Sequence, residues 1–349
     1  MHLFSKHFSL KRALSTFFVL LCLAFLIFSP QVIFNKENYS LNLNKYLAEN
    51  DLEEVVLTIY HIETFEGGSA SRAKYLEREG INFNKIHKNC YVTIKTLSPQ
   101  SLALNLNSNN LPDMFSFGSG VGNVLAGFFS SLDKPSSIRQ DLLSNCYYDG
   151  EILSYPYILS GYALISRSNN DGVETLSNLV SGGSYTNSLK TLETNSIKLD
   201  TSGFSMCDTQ YKAYQKFIEN KDLCLLGSAR DVARCKNRER NGKIGALSYS
   251  YLGGYSDLVQ YIGVTDNTDK IKMTYAKLFA YYLVSSSSQQ NLSKYGLFSV
   301  NKQKIYQDGD YLSDFEDVLL EPLLSESAYI SQEEVLKNRE KTLQKICNN

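Results

Sequence analysis

An α/β fold with a parallel sheet is predicted by three strand-like runs separated by two helix-forming segments. The first run begins at Val55 and is apolar and β-branched, and the other two cover residues 91–97 and 113–118. Runs of this kind are typical of buried strands. Serines able to cap a helix follow the first run, and Ser98 with Pro99 opens the second helical segment. The order strand, helix, strand, helix, strand predicts parallel strands joined by short crossovers.

A glycine pair, Gly67-Gly68, lies between the first strand and its helix. A strand followed by a glycine turn and a helix start places free backbone N–H groups at the carboxyl end of the sheet. Ligands of open α/β sheets bind at that edge. We therefore expect a ligand site where polar residues follow the strands.

The composition is compatible with two lobes and gives no sign of nucleic-acid binding. The 349 residues are enough for two lobes with sizeable cores. The 35 basic and 36 acidic side chains nearly cancel, so neither nucleic acid nor an acidic partner is indicated. Tyr occurs 24 times and Phe 18 times while Trp is absent. Any aromatic platform for a ligand must therefore use Tyr or Phe, and Tyr adds a hydroxyl group for hydrogen bonding.

The seven cysteines are widely and irregularly spaced, without a Cys-x-x-Cys pair. This pattern argues against a zinc site and against a disulfide-rich domain. Single buried thiols are the simplest interpretation, with one or two disulfides left open for an oxidising compartment.

An apolar stretch near the N-terminus predicts a membrane segment within residues 1–34. Three basic residues precede it. Residues 13–28 are almost wholly apolar, and residues 32–34 extend the stretch past Ser29-Pro30-Gln31 to a total of 22 residues. A membrane-spanning helix needs roughly 20. No Ala-x-Ala site follows, which favours an uncleaved signal-anchor over a cleaved signal peptide. The basic flank predicts a cytoplasmic N-terminus, a linker at 35–54 and an extracytoplasmic remainder, secreted if the segment is cleaved.

Five stretches carry a resemblance to a known family. They are residues 64–69 (TFEGGS), 112–118 (PDMFSFG), 150–157 (GEILSYPY), 226–231 (LGSARD) and 257–264 (DLVQYIGV). In this order they resemble the family 1 extracellular solute-binding proteins, the receptors of ABC importers. The resemblance runs from about residue 55 to about residue 300. It implies an α/β, two-lobed periplasmic-binding-protein-like fold of type II, with a hinge and an interlobe cleft.

The resemblance divides the chain into two lobes, each built from two segments. The expected division is 55–159 with 246–297 for the first lobe, and 160–245 with 298–349 for the second. Two strand-like runs bridged by Ser160-Gly161 cover residues 155–166. The resemblance makes the bridge a hinge, and a bent strand in a single domain is the alternative. A strand at 244–250 is expected to return the chain to the first lobe.

Candidate ligand contacts follow strands or match ligand-facing loops of the family. They are Glu63, Thr64, Glu66, Gly67, Ser116, Gly118, Tyr155, Tyr162, Arg230 and Tyr255. Arg230 opens a helix after a strand and a Gly-Ser pair, although a solvated charged face also explains that helix. Gly118 begins a Gly-Ser-Gly-Val-Gly stretch that lacks the spacing of a nucleotide fingerprint. We interpret this stretch as a loop that a ligand can approach closely.

No arrangement of residues points to catalysis. Two of the four histidines precede the apolar stretch, and His61 and His87 have no metal-binding spacing. Glu63 and Glu66 could act as glycosidase acids, but such a pair needs a defined separation across a sugar ring. Accepting hydrogen bonds from ligand hydroxyls is their preferred role. The sequence therefore predicts a protein that is not an enzyme and has no cofactor or metal.

The predicted function is that of an extracytoplasmic receptor for a small polar solute, with a sugar or oligosaccharide favoured. The resemblance implies a monomer that closes about its hinge and delivers the solute to ABC permease subunits. An anionic or phosphorylated solute, held by helix N-termini and Arg230, is one alternative. A membrane-anchored bilobal sensory or interaction protein, not coupled to transport, is another.

Overall fold

The computed structural model describes residues 54–65, 72–106, 111–168, 174–266 and 269–348. Within these ranges no helix has both the length and the apolar character needed to span a membrane. The predicted membrane segment (1–34) lies outside the described residues, as does the linker except for Glu54. Residues 55–349 form one compact unit.

The described residues contain both strands and helices. The strands are β1 (Val55–Ile62), β2 (Cys90–Leu97), β3 (Met114–Phe117), β4 (Tyr147–Tyr148), β5 (Glu151–Ile152), β6 (Ser154–Leu159), β7 (Tyr162–Ser166), β8 (Thr175–Leu176), β9 (Leu179–Gly182), β10 (Lys198–Leu199), β11 (Ser205–Cys207), β12 (Cys224–Ser228), β13 (Ser248–Leu252) and β14 (Val259–Val264). The α-helices are α1 (Arg72–Ile86), α2 (Pro99–Leu106), α3 (Gln140–Leu143), α4 (Leu189–Thr194), α5 (Gln210–Glu219), α6 (Ala229–Arg240), α7 (Lys270–Leu283), α8 (Ser286–Gln290), α9 (Ser313–Leu320) and α10 (Gln332–Asn348).

The first sheet contains the parallel unit predicted from the sequence. Its strand order is β2-β1-β3-β14-β6. β1 pairs in parallel with both β2 and β3, which confirms the predicted strand–helix–strand–helix–strand unit. β14 runs antiparallel to β3 and β6. Helices α1 and α7 pack against this sheet and against each other.

The sequence of each strand fits its place in the first sheet. β1 alternates buried and more exposed residues until its last two residues, which are both buried. β14 is buried throughout because it is covered by strands on both sides and by α7. Pro156 lies in β6, the edge strand, opposite Tyr261 at a register shift. Since proline cannot donate a ladder hydrogen bond, an edge or a bulge is where a strand tolerates it.

The second sheet has the order β11-β9-β12-β7-β13. β11, β9 and β12 are parallel, whereas β7 and β13 join as antiparallel strands. Helix α5 lies between β11 and β12 in the chain, and α6 follows β12 directly. Helices α5 and α6 pack against this sheet. A leucine-rich cluster that includes Leu179, Leu192 and Leu226 forms its core together with Ile346 of α10.

The chain crosses between the sheets at two adjacent segments. Ser160-Gly161 joins β6 to β7, and residues 253–258 join β13 to β14. The Ser160 amide donates to the Leu258 carbonyl (3.0 Å), and the Ser256 hydroxyl donates to the Ser160 carbonyl (2.7 Å). The two crossings therefore support each other by buried hydrogen bonds.

The strand predicted at 244–250 lies in the second sheet and not in the first. The strand expected at 244–250 to return the chain to the first lobe is β13, which pairs antiparallel with β7 in the second sheet. The return to the first sheet comes only after residue 258, with β14. The prediction was wrong because strand pairing is decided by contacts far apart in sequence, which the local pattern of 244–250 does not contain. The complete division into lobes stays a prediction.

Glycines in the loop after β3 allow protein segments to approach one another. A Cβ on Gly122 would collide with the Ala328 carbonyl and meet the Phe117 ring at 2.8 Å. Gly127, a few residues later, has nothing within 4 Å of its Cβ position. The two positions form a matched pair for testing how tightly this loop is packed.

We expect Gly122→Ala to lower the free energy of unfolding by about 1–3 kcal/mol, because a backbone carbonyl cannot move aside as a flexible side chain can. Gly127→Ala should change it by less than about 0.5 kcal/mol. Urea unfolding followed by circular dichroism measures both values. Equal effects of the two substitutions would contradict the packing described for Gly122.

Candidate functional site

A cavity of about 330 Å³ lies where strands of the two sheets end. Its position agrees with the ligand edge expected of open α/β sheets. The lining residues are Glu63, Thr64, Phe65, Ser98, Pro99, Gln100, Tyr162, Gly182, Gly183, Ser184, Tyr185, Thr186, Asp208, Thr209, Gln210, Tyr211, Ser228, Arg234 and Leu258. Hydroxyl and amide side chains predominate among the polar ones.

The first sheet contributes the residues that follow β1 and β2. Glu63, Thr64 and Phe65 come directly after β1, and Ser98 precedes α2. The Thr64 hydroxyl oxygen is buried and has no hydrogen-bond partner among the described residues. An unpartnered hydroxyl on a cavity wall is available to a polar ligand, because it gains a bond that the protein does not supply.

The second sheet contributes the ends of β9, β11 and β12. Gly182 ends β9 and residues 183–186 follow it, and residues 208–211 lead from β11 into α5. Thr209 caps α5 by accepting from the Lys212 amide (3.2 Å). At the start of α6 the Ser228 amide donates to the Asp231 carboxylate (2.9 Å). At both helix starts, side chains of the protein therefore already accept hydrogen bonds from backbone N–H groups.

An aromatic pair stands at the rim of the cavity. Tyr211 is 51% exposed and stacks on Tyr214, with 6.2 Å between ring centroids. The Arg234 guanidinium lies 5.1 Å from the Tyr211 centroid and 2.9 Å from the Asp231 carboxylate. The tyrosine ring is thus held in place while half of its surface stays exposed, and the arginine charge is largely balanced by Asp231.

Three of the predicted contacts lie on the cavity wall: Glu63, Thr64 and Tyr162. Glu66 and Gly67 lie outside the described residues. The Tyr162 hydroxyl donates to Asp257 at 2.6 Å, so the ring rather than the hydroxyl is presented to the cavity.

Ser116 and Tyr155 lie in the core of the first sheet and do not line the cavity. Ser116 is fully buried, and its hydroxyl has three partners: His61 Nδ1 (2.8 Å), the Tyr157 hydroxyl (2.8 Å) and Gln260 Nε2 (3.0 Å). Burial, assisted by the Arg72 charge, lowers the pKa of His61 to about 3, so the imidazole is neutral. The Tyr155 hydroxyl donates to the Asp133 carbonyl (2.5 Å).

Gly118, Arg230 and Tyr255 are also away from the cavity wall. A Cβ on Gly118 would collide with Thr64 and Phe65, and one on Gly120 would meet the Tyr185 ring at 2.9 Å. The glycine-rich loop therefore allows other parts of the protein to approach, where we expected a ligand. Arg230 lies in the first turn of α6, and Tyr255 is 2% exposed in the second crossing.

Sequence reasoning missed most of the second-sheet wall. The missed residues include Thr186, Asp208, Gln210, Tyr211 and Arg234. Asp208-Thr209 does carry a helix-cap signal just before α5. β9 and β11 are only four and three residues long, so their runs are too short to mark the strand ends that place the wall.

Groups suited to metal binding are not clustered in the described part of the chain. No set of three or more His, Cys, Asp or Glu residues there could hold a metal ion. The six cysteines outside the N-terminal stretch are free thiols. Burial raises the pKa of the Cys90 and Cys235 thiols to about 12, so neither is a thiolate near neutral pH.

Solved structures of solute-binding proteins share this fold. The sugar-binding protein MalE from Xanthomonas citri matches with a TM-score of 0.59 at 11% identity, over 84% of this chain and 92% of that chain. The ABC substrate-binding protein Lmo0181 from Listeria monocytogenes, in complex with cycloalternan, matches with a TM-score of 0.53 at 12% identity, over 84% and 99%. No protein-family model and no curated protein matches the sequence.

An enzyme has the same fold. Thiaminase I from Bacillus thiaminolyticus matches with a TM-score of 0.55 at 11% identity, over 84% of this chain and 99% of that chain. At such identities the matches establish the fold, and the predicted resemblance to sugar-binding ABC substrate-binding proteins is confirmed at that level. The chain has the mixed α/β fold of the two-lobed substrate-binding proteins.

Two substitutions distinguish a core hydroxyl from a cavity hydroxyl. We expect Ser116→Ala to lower the free energy of unfolding by about 1–3 kcal/mol, because it leaves buried partners without a hydrogen bond. Thr64→Val should cost less than about 0.5 kcal/mol, because no described residue loses a partner. Urea unfolding of both variants checks this. A Thr64→Val loss as large as that of Ser116→Ala would show that the Thr64 hydroxyl has a structural partner.

Proposed function

We propose that this protein is an extracytoplasmic solute-binding receptor of an ABC importer, with a small carbohydrate as its solute. The observation that carries the proposal is the cavity itself. Strand ends of both sheets meet there, and its wall combines neutral hydroxyl and amide groups with aromatic rings. Its volume of about 330 Å³ lies at the low end of the usual 300–1,000 Å³ range of small-molecule sites.

The charges around the cavity favour a neutral polyhydroxy solute over an anionic one. Arg230 is off the wall, and Arg234 is paired with Asp231. The Glu63 carboxylate lines the wall, where it can accept hydrogen bonds from hydroxyl groups and repels an anion. The helix starts at α5 and α6 are already capped by Thr209 and Asp231. The four aromatic rings of the wall provide the apolar faces on which a sugar ring can pack.

Transport follows from hinge closure in this proposal. The paired crossings at Ser160-Gly161 and 253–258 connect the sheets, and small backbone changes there would open and close the cavity. The closed form would then be recognised by permease subunits. The apolar stretch at 13–34 would hold the receptor at the outer face of the cell membrane as a monomer.

Solute binding without turnover is proposed, although thiaminase I has the same fold. The described cavity wall contains no histidine and no cysteine, and its two carboxylates belong to Glu63 and Asp208. Asp208 is ion-paired with Lys212 at 2.7 Å. Mass spectrometry of each binding solute after incubation with the protein would detect turnover as a product and would overturn this part of the proposal.

A solute screen tests the proposed function directly. The full-length chain, purified in a mild detergent, is heated with neutral sugars, sugar phosphates, amino acids and peptides. A neutral mono- or disaccharide should raise the melting temperature, since a hundredfold excess over Kd stabilises the native state by about 2.7 kcal/mol. A rise with sugar phosphates alone would favour the anionic solute. A flat result for all classes would favour a sensory or interaction protein.

Two exposed tyrosines, one at the cavity and one away from it, allow a test of where the solute binds. Tyr211→Ala should weaken binding of the sugar found in the screen about tenfold, because a half-exposed aromatic ring of the cavity lining is lost. Tyr281→Ala is the control, since Tyr281 is 53% exposed and does not line the cavity. Isothermal titration calorimetry gives both affinities. Equal affinities in the two variants would place the solute elsewhere.

A further inference from the structure

One wall of the cavity is held by a buried carboxylate that lies in a crossing between the sheets. Asp257 is 1% exposed. Its Oδ1 accepts from the Tyr162 hydroxyl (2.6 Å), and its Oδ2 accepts from the Asn187 amide (2.5 Å). Tyr162 lines the cavity, and Asn187 directly follows the lining residues 182–186. We define residues 182–187 as the wall segment. One carboxylate thus contacts two separate parts of the wall.

Helix α10 holds the same wall segment from the other side. Arg339 Nη1 donates to the Gly183 carbonyl at 2.6 Å, and Gln332 Nε2 donates to the Ser184 carbonyl at 3.2 Å. Asn187 Nδ2 donates to the Thr342 hydroxyl at 3.2 Å. The Gly183 and Ser184 carbonyls therefore accept from α10, whereas the last amide of the wall segment donates to Asp257.

Asp257 also belongs to the framework that joins the sheets. Its neighbours Ser256 and Leu258 make the hydrogen bonds to Ser160 that pair the two crossings. The Ser256 amide donates to the Leu324 carbonyl (2.9 Å), which fixes the backbone beside Asp257. The carboxylate is attached to this fixed backbone. Its two hydrogen bonds therefore hold Tyr162 and Asn187 at a set distance from the crossing.

We propose that Asp257 is a positioning residue for the cavity, holding the wall segment and the Tyr162 ring in place relative to the crossing at residues 253–258. The role of the cavity in this statement rests on the proposed solute binding. Asp257 itself need not touch the solute, since Tyr162 and the wall segment stand between its carboxylate and the cavity.

Titratable and charged groups from several elements face Asp257. They are Tyr162 of β7, Tyr255 of the same crossing, Glu326 of the loop before α10, and Arg339 of α10. Burial raises the pKa of Asp257, and burial with the Asp257 charge raises that of Glu326. The hydrogen bonds from Tyr162 and Asn187 act against burial, because they stabilise the ionised carboxylate.

Hydrogen–deuterium exchange of the full-length chain without solute tests the proposal. The readout is the protection factor of peptides covering residues 183–188, compared with β1 and β2. Asp257→Asn should lower protection of the wall segment about tenfold or more, because an amide cannot accept from both donors and leaves one unpaired. Tyr162→Phe should cause a smaller, equally local loss. Asp308→Asn, at a position whose side chain is 97% exposed, is the control.

The place of the loss separates positioning from general weakening. In Asp257→Asn, protection of residues 183–188 should fall, while protection of β1 and β2 should stay at the value measured for the wild-type and Asp308→Asn chains. A uniform loss of protection over all segments, or no loss, would overturn the proposal. If Asp257→Asn does not fold, Tyr162→Phe decides by the same criterion. The exchange experiment uses no solute, so it tests the role of Asp257 separately from the proposed function. If no solute raises the melting temperature but Asp257→Asn still loses protection locally, only the proposed function is overturned.

Discussion

The pairing of the two crossing segments is the constraint on which the rest of the structure depends. Ser160 both donates to Leu258 and accepts from Ser256, so the two connections between the sheets form one buried unit. β7 and β14 begin directly after these segments, which fixes where each enters its sheet. The ends of β1, β9, β11 and β12 then meet at one cavity.

The buried polar groups of this protein fall into two arrangements with different consequences. In the first sheet, Ser116 is surrounded by donors and acceptors of the protein itself, and the neutral His61 completes the network. Such a group stabilises the core and has no capacity left for a ligand. On the cavity wall, the Thr64 hydroxyl is without a partner among the described residues. A buried hydroxyl group is thus available to a ligand when the protein leaves it without a hydrogen-bond partner, whichever residue carries it.

Glycine positions show how the same sequence feature can serve either a ligand or the protein. Gly118, Gly120 and Gly122 were expected to form a loop that a ligand can approach closely, yet the space beside them is filled by Thr64, Tyr185 and Ala328. Gly120 has a φ of +85°, a backbone conformation that residues other than glycine rarely adopt. Its place next to Tyr185 joins the first-sheet loop to the second-sheet wall. The loop therefore packs against residues that line the cavity, and residues 118–122 are not themselves part of the described lining.

The sequence by itself determined the local elements. The β-branched run from Val55, the helix caps and the Gly-Ser start of α6 identified the parallel unit and several helices, because these signals are carried by neighbouring residues. The resemblance of five stretches gave the two-lobed fold. Tertiary structure alone decided that β13 belongs to the second sheet, that Ser116 is enclosed, and that Tyr211 and Arg234 reach the cavity. These outcomes depend on contacts between residues far apart in the chain, which no local pattern encodes.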